Sequence, residues 1–137
     1  MGLITTGIVL NNIGGSIVST IYSSMSPSIA NIISHKFIDI NVVLEELDLE
    51  SVLQVIELYI NEIKTSKQSI TKAVNNLNEI IEKIQSVLLL LEERCKEHNQ
   101  KWFSSYRTLY SEDLLNIIIT YKKILDIRFN LLIQMIN

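Results

Sequence analysis

The chain has 137 residues with 12 basic and 15 acidic side chains, a net charge of −3 and a hydrophobic content of 47%. This length is typical of one domain, and the hydrophobic content excludes an intrinsically disordered chain. The chain lacks the overall excess of positive charge that would indicate a nucleic-acid partner.

Glycine and charge are both distributed unevenly. Lys36 is the first Asp, Glu, Lys or Arg of the sequence, and neither glycine nor proline occurs after Pro27. A β-sheet domain of this size needs several tight turns, which usually contain those residues. The sequence therefore predicts an all-α bundle of four to six helices in one domain. We divide it into an uncharged apolar N-terminal segment, residues 1–35 (the charge-free segment), and an amphipathic bundle, residues 36–137.

The first predicted helix covers residues 2–25. Apolar and small residues recur at three- and four-residue steps, forming what we call the N-terminal stripe: Leu3, Gly7, Leu10, Gly14, Ile17 and Ile21. About 20 apolar residues span a bilayer, but polar residues such as Asn11 and Asn12 interrupt this run and argue against a simple transmembrane helix. The residues expected to contact a membrane or an apolar partner are Gly2, Leu3, Ile4, Ile8, Leu10, Gly14, Ile17, Val18 and Ile21. The alternative is a helix packed into the core of its own bundle or over another subunit.

Gly2 is a possible acylation site. Glycine after the initiator methionine, with Thr6 four residues further on, fits the spacing of an N-myristoylation signal. A single myristoyl chain binds membranes only marginally, and no polybasic patch lies nearby. The charge-free segment itself would have to supply the second membrane signal.

Several polar residues predict helix boundaries before residue 49. Ser26-Pro27 is expected to end the first helix, because a residue before proline is disfavoured in the α conformation, and Pro27 to open a short helix through Ile33. Asp39 and Asn41 are candidate caps for a helical turn over residues 42–47. Asp48 is the expected cap of a longer helix that follows.

A heptad pattern gives the clearest structural signal in the chain. Apolar residues recur every seven positions at Leu49, Ile56, Ile63, Ile70, Leu77, Ile84 and Leu91. A second column, interrupted by Lys67, contains Leu53, Ile60, Val74, Ile81, Leu88 and Cys95. A third column makes the apolar face wide enough for a multi-helix bundle. The polar stretch 64–69 predicts a hairpin, yet the heptad phase continues across it, so one long projecting helix over residues 49–97 remains the alternative.

The C-terminal part predicts two further helices. Residues 98–101 form a weak point before an aromatic helix over residues 102–110, and residues 111–113 resemble the cap of a last helix that runs to about Ile136. The predicted bundle core comprises Leu53, Ile56, Ile60, Ile63, Ile70, Val74, Leu77, Ile81, Ile84, Leu88, Leu91, Trp102, Tyr106, Ile118, Leu125 and Leu132.

Catalytic and metal-binding residues are scarce. Glu92, Cys95 and His98 share one helix face, but three ligands from one helix without a second cluster make a poor metal cage, and Cys95 occupies an apolar column. We therefore expect no enzyme activity, metal, cofactor or small-molecule substrate. The single cysteine allows no internal disulfide and fits a reducing compartment.

Cations and aromatic rings alternate over residues 101–107, as they do on surfaces that bind single-stranded nucleic acids. Trp102, Phe103 and Tyr106 nevertheless share one helical face, and the surrounding charge is not basic. They are interpreted as core aromatics, so no nucleic-acid partner is expected.

The order of parts resembles the HeLo-type N-terminal bundles of membrane-disrupting cell-death effectors. Gly2 to Tyr22 match the apolar helix and Leu49 to Leu91 match the bundle, so the likeness covers layout and no diagnostic motif. The resemblance implies membrane engagement. In that family membrane contact draws on basic residues, and the charge-free segment has none.

Together these features predict a non-enzymatic protein whose charge-free segment engages a membrane lipid surface or an apolar protein surface. The alternative is a structural assembly component, such as a small virion or capsid-associated protein, that inserts this segment between neighbouring subunits. Either role predicts a homo- or hetero-oligomer. The expected location is intracellular, at the membrane periphery or within a larger assembly.

Overall fold

A computed structural model of the chain describes residues 22–100 and 109–137, and these residues form helices joined by short loops. Helix α1 covers residues 22–34, α2 Ile38–Leu47, α3 Leu49–Glu62, α4 Gln68–Gln100 and α5 Glu112–Ile136. No strand occurs in the two described stretches. The predicted all-α helical bundle is confirmed.

Helix α4 lies between α1 and α5. Ser28 and Glu92 meet at the same level, as do His35 and Asn99, so α1 runs parallel to α4. The contacts between α5 and α4 follow the opposite order along the two helices. Asp113 pairs with Arg94 at 2.6 Å, whereas Arg128 near the other end donates to the carbonyl oxygen of Asn76 at 2.7 Å, so α5 is antiparallel to α4.

Helix α3 completes the bundle through contacts with both flanking helices. Gln54 Nε2 donates to the Tyr22 hydroxyl at 2.9 Å, which joins α3 to α1. The rings of Tyr59 and Phe129 meet edge to face at 5.5 Å, which joins α3 to α5. These two pairs show that α3 packs beside both α1 and α5 in the same bundle.

The heptad region folds back on itself. Helix α3 ends at Glu62, Ile63 is extended (φ −70°, ψ 126°), and α4 begins at Gln68. Lys67, the exception in the second heptad column, therefore lies in the loop. Ile63 and Ile70 are buried on either side of it, which explains why the apolar phase continues across the break. The hairpin is confirmed, and the single long helix is wrong.

The buried apolar residues form one cluster, to which all five helices contribute. Of the predicted core, those in the described part are all buried: Leu53, Ile56, Ile60, Ile63, Ile70, Val74, Leu77, Ile81, Ile84, Leu88, Leu91, Ile118, Leu125 and Leu132. Trp102 and Tyr106 lie outside the described residues.

The predicted helix end at Ser26-Pro27 is wrong. Helix α1 continues through both residues to residue 34. Met25, Ile29 and Ile32 are buried, and a continuous helix keeps all three on one face. Pro27 removes one backbone hydrogen bond, but Pro27 and Ser23, whose carbonyl loses its donor, are both exposed. The free energy gained by burying this apolar face outweighs the preference of Ser26, before a proline, for a non-helical conformation.

The predicted caps of α2 are also wrong. Helix α2 begins at Ile38, and Phe37 occupies the N-cap without a side-chain hydrogen bond. Asp39 and Asn41 lie inside the helix. Asn41 instead donates its amide to the carbonyl oxygen of Ile33 at 3.4 Å, which ties α2 to the end of α1.

Asp48 is a junction between two helices. It precedes α3 as predicted, but no side-chain cap hydrogen bond forms. Its backbone is left-handed (φ 48°, ψ 46°), and its N–H donates to the Leu44 carbonyl at 3.3 Å. This conformation terminates α2 directly before α3 begins at Leu49.

The C-terminal boundaries are close to those expected. Helix α4 continues through the predicted weak point at His98 as far as Gln100. Most of the proposed aromatic helix lies outside the described residues, but Leu109 and Tyr110 are not helical. Helix α5 begins after Ser111, whose carbonyl accepts from the Leu115 N–H at 3.0 Å, and ends at Ile136.

Candidate functional site: the attachment of α1 to α4

The residues expected to contact a membrane or apolar partner, from Gly2 to Ile21, lie outside the described residues. The possible acylation site Gly2 lies there too. Helix α1 follows them directly in the chain. Its contacts with α4 therefore fix the base of the charge-free segment to the bundle.

An apolar face supplies most of this attachment. Met25, Ile29 and Ile32 are 1%, 7% and 0% exposed and belong to the common core. Burial of a large apolar side chain contributes about 1.5–3 kcal/mol before entropy losses. These residues bind α1 firmly to the bundle.

A buried carboxylate lies within this apolar contact. Glu92 of α4 is 8% exposed. Ser28 Oγ donates to its Oε1 at 3.0 Å, and Asn31 Nδ2 donates to its Oε2 at 2.7 Å. Lys96, one turn further along α4, places its ammonium 3.7 Å from Oε2. Two uncharged residues of α1 thus bind one charged residue of α4.

Opposing effects act on the pKa of Glu92. Burial raises it, because a charge is less stable away from water. The hydrogen bonds from Asn31 and Ser28 and the charge of Lys96 lower it, and together they prevail. The pKa of Glu92 therefore lies below its ordinary value, and the side chain is a carboxylate at neutral pH.

A second polar contact between the two helices lies at the C-terminal end of α1. Asn99 Nδ2 and His35 Nδ1 are in contact. The ring of Phe37 stacks on His35 at 6.2 Å and meets His98 edge to face at 5.5 Å. His35 and His98 are the two histidines of the chain, and both lie against Phe37. The turn between α1 and α2 is thereby held to the end of α4.

Ser28, Asn31 and Asn99 were not predicted as contact residues from the sequence. A signal for the α4 side of the contact existed, because polar residues recur every seven positions on α4 at Asn78, Gln85, Glu92 and Asn99. This spacing keeps them on one face. This polar column lies beside the apolar columns and was not recognised as a contact surface. It faces α1 at Glu92 and Asn99.

The geometry gives no support to a metal site at Glu92, Cys95 and His98. Glu92 is occupied by its partners in α1, and within residues 22–100 and 109–137 no three His, Cys, Asp or Glu side chains are grouped to hold a metal ion. Cys95 is fully buried, which raises the pKa of its thiol to about 11. A neutral buried thiol is a poor nucleophile.

The aromatic stretch is described only at its end. Trp102, Phe103 and Tyr106 lie outside the described residues, whereas Tyr110 is exposed and its carbonyl oxygen accepts from Arg94 at 3.1 Å. In the described part of the chain, no helix combines the length and apolar character that a membrane span requires.

The described residues define a helical bundle, and the residues that precede them in the sequence contain no Asp, Glu, Lys or Arg. The chain is similar to the uncharacterized protein L717 of Acanthamoeba polyphaga mimivirus, with 26% identity over 162 residues covering 96% of this chain and 78% of that protein. No family model and no solved structure matches the chain.

Proposed function

We propose that this protein is a non-enzymatic helical bundle whose charge-free segment engages a membrane or an apolar protein surface. One observation carries the proposal: α1, the direct continuation of residues 2–21, is fastened to α4 by Ser28 and Asn31 on the buried Glu92. The bundle thus holds the base of a segment that contains no Asp, Glu, Lys or Arg.

The composition of residues 2–21 favours an apolar target. Burial of its nine large apolar side chains contributes on the order of 15–25 kcal/mol before entropy losses. Charged groups on this segment would oppose such burial, and it has none.

Vesicle flotation tests the proposal. The full chain is expected to float with phosphatidylcholine vesicles, and a chain lacking residues 2–21 is expected to remain in the dense fraction while keeping its helical circular dichroism. The deletion should stop at residue 21, because Met25 belongs to the core. Leu58→Asp is the matched control, since it removes an exposed apolar side chain of α3 and should leave flotation unchanged.

Two further measurements test the membrane target and the acylation of Gly2. Failure of the full chain to float at any lipid composition would contradict the membrane form of the proposal. Intact mass of the protein from its native host, compared with Gly2→Ala, would show whether a myristoyl group contributes.

A second candidate function is that of a structural assembly component. It is favoured by the similarity to a mimivirus protein and by an apolar strip on the outside of α5, where Ile117, Ile127 and Leu131 are 38%, 68% and 52% exposed. Exposed apolar strips of this kind mark contacts between proteins. A discrete oligomer by light scattering, lost in Ile127→Asp and without vesicle binding, would support this candidate over the first.

A further inference from the structure

A pocket of about 380 Å³ lies where the start of α2 meets the residues that lead into α5. Pockets of this size are typical of sites for small molecules. The attachment of α1 to α4 shares only Phe37 with it. The residues that line the pocket are Lys36, Phe37, Ile38, Asp39, Ile40, Leu109 and Ser111.

The start of α2 brings backbone donors to this pocket. Phe37 is the N-cap residue and provides no side-chain hydrogen bond, and the first backbone bond of the helix runs from the Asn41 N–H to the Phe37 carbonyl oxygen at 2.9 Å. The N–H groups before Asn41 have no acceptor within the helix. Three of them belong to Ile38, Asp39 and Ile40, which line the pocket. A helix N-terminus of this kind attracts phosphate groups, because its dipole adds to the hydrogen bonds that its N–H groups donate.

Ser111 is an independent indication of a ligand. It lines the pocket and is only 7% exposed, yet its hydroxyl makes no cap hydrogen bond and none with any other residue in the described part of the chain. The usual target of an N-cap hydroxyl is occupied, since the Leu114 N–H donates to the Asp113 carboxylate. Buried hydroxyl groups are as a rule hydrogen-bonded. The Ser111 hydroxyl therefore remains available to a group bound in the pocket.

The charges that line the pocket favour an anion. The formal charges of Lys36 and Asp39 cancel, and the start of α2 adds about half of a positive elementary charge. Neither side chain forms an ion pair with another described residue. Asp39 is exposed and opposes an anion, whereas the Lys36 ammonium attracts it.

Apolar side chains supply the rest of the lining. Ile38 is 77% exposed, and Leu109 is only partly buried. The ring of Phe37 is fixed between His35 at 6.2 Å and His98 at 5.5 Å, so this wall of the pocket is formed before any ligand binds. A small organic group bound beside the anion would cover the exposed apolar surface.

We propose that this pocket binds a small phosphate ester. Its phosphate oxygens accept hydrogen bonds from the first turn of α2 and from the Ser111 hydroxyl, and the Lys36 ammonium balances their charge. Its organic group lies against Ile38 and Leu109. The three terminal oxygens of a phosphate match these three sources of donors, whereas a carboxylate has only two oxygens. The site lies outside residues 2–21 and does not depend on the function proposed for them.

Nuclear magnetic resonance of the isotope-labelled full chain tests the proposal. Phenyl phosphate should shift the backbone amide signals of Ile38, Asp39 and Ile40 in a saturable manner, and sodium chloride at the same ionic strength should not. Inorganic phosphate should shift the same signals with lower affinity, because it lacks the organic group. Shifts that sodium chloride reproduces would overturn the proposal, as would equal affinities for the two phosphates.

Two variants test the assigned donors. Ser111→Ala should weaken the binding of phenyl phosphate about tenfold, the loss expected for a hydrogen bond to a charged group. Lys36→Gln should weaken it about two- to fivefold, the effect of one exposed charge. Lys64→Gln is the matched control, since Lys64 is an exposed lysine in the loop between α3 and α4, and it should leave the affinity unchanged. Unchanged affinity in both Ser111→Ala and Lys36→Gln would contradict the site.

Asp39→Asn distinguishes an anion site from a cation site. It removes the opposing carboxylate and should tighten the binding of phenyl phosphate about two- to fivefold. Weaker binding in this variant would show that the pocket selects cations and would overturn the proposal. The amide spectrum of each variant reports whether it is folded, and the titration of the native chain decides the proposal without any variant.

Discussion

Glu92 shows how one buried charge can be accommodated between two helices. Its oxygens receive donors from Ser28 and Asn31, and Lys96 balances the charge from α4 itself. Removal of one partner from such a group is costly, because the remaining polar atoms stay buried without their hydrogen bonds. The attachment of α1 therefore depends on ionised Glu92 more than on any other polar side chain of the contact.

Glu92→Gln should lower the free energy of unfolding by about 1.5–3 kcal/mol at pH 7, the range for hydrogen bonds to a charged group. Because the folded-state pKa is lowered, the charge stabilises the fold fully above the unfolded-state pKa of about 4.3, and this contribution is lost as the pH falls through the folded-state value. Urea denaturation between pH 3 and 7, a range set around that pKa of about 4.3, measures both effects.

Glu93→Gln is the control for this measurement, since Glu93 is the exposed neighbour of Glu92. It should change stability little at any pH. An unfolding free energy of Glu92→Gln that keeps the full acid dependence of the native chain would contradict the assigned role of the carboxylate.

The thiol of Cys95 should be unreactive towards thiol reagents in the folded protein. Its complete burial and a pKa raised to about 11 keep the thiol neutral at pH 7. Labelling by a thiol reagent should therefore be much slower than for a free cysteine and become fast in denaturant. Rapid labelling of the native chain, with its circular dichroism unchanged, would show that the thiol is accessible.

At the scale of elements, long-range periodicity predicted more than local signals did. The heptad columns located α3 and α4, because apolar burial over many turns dominates the energy of a helix. The polar stretch 64–69, with Lys67 in an apolar column, located the loop between them. Local boundary signals failed at Pro27 and Asp39, where packing of the same helix face outweighed a cap or a proline. The contacts of Glu92 with α1 depend on residues more than sixty positions apart, which no local pattern encodes.

Pro27→Ala should stabilise α1. Proline in a helix interior costs up to about 3 kcal/mol relative to alanine, and α1 is helical on both sides of Pro27. We expect the free energy of unfolding to rise by about 1–3 kcal/mol in chemical denaturation, because the Ser23 carbonyl regains its donor. Ser26→Ala should have a much smaller effect. A loss of stability in Pro27→Ala would show instead that the proline ring contributes to the packing of α1.

Asp48→Gly should stabilise the α2–α3 junction. A left-handed residue other than glycine carries a penalty of roughly 1 kcal/mol, and Asp48 has φ 48°. The glycine variant should gain about 0.5–1 kcal/mol in the free energy of unfolding, whereas Asp48→Ala should lose stability. Equal stabilities of the glycine and alanine variants would contradict the left-handed junction.

For the whole molecule, the distribution of charge determines which form of the proposed membrane binding is expected. All formal side-chain charges of Asp, Glu, Lys and Arg belong to residues 36–137, and helix α4 connects the attachment of α1 to the packing of α5. The bundle is built by residues 22–100 and 109–137, with the uncharged α1 in its core, while residues 2–21 contain only apolar and uncharged polar side chains. If residues 2–21 bind a membrane, as proposed, we expect that affinity to be hydrophobic rather than electrostatic.

Vesicle binding should accordingly be insensitive to salt and to anionic lipid. Polybasic segments gain about 1 kcal/mol per Lys or Arg near an anionic surface, and that attraction is screened within a Debye length. The charge-free segment lacks those residues, and the net charge of −3 opposes an anionic surface. Flotation with neutral vesicles should equal or exceed that with phosphatidylserine-containing vesicles and persist in high salt. Binding that requires anionic lipid and disappears in high salt would instead locate the contact on the basic residues of the bundle.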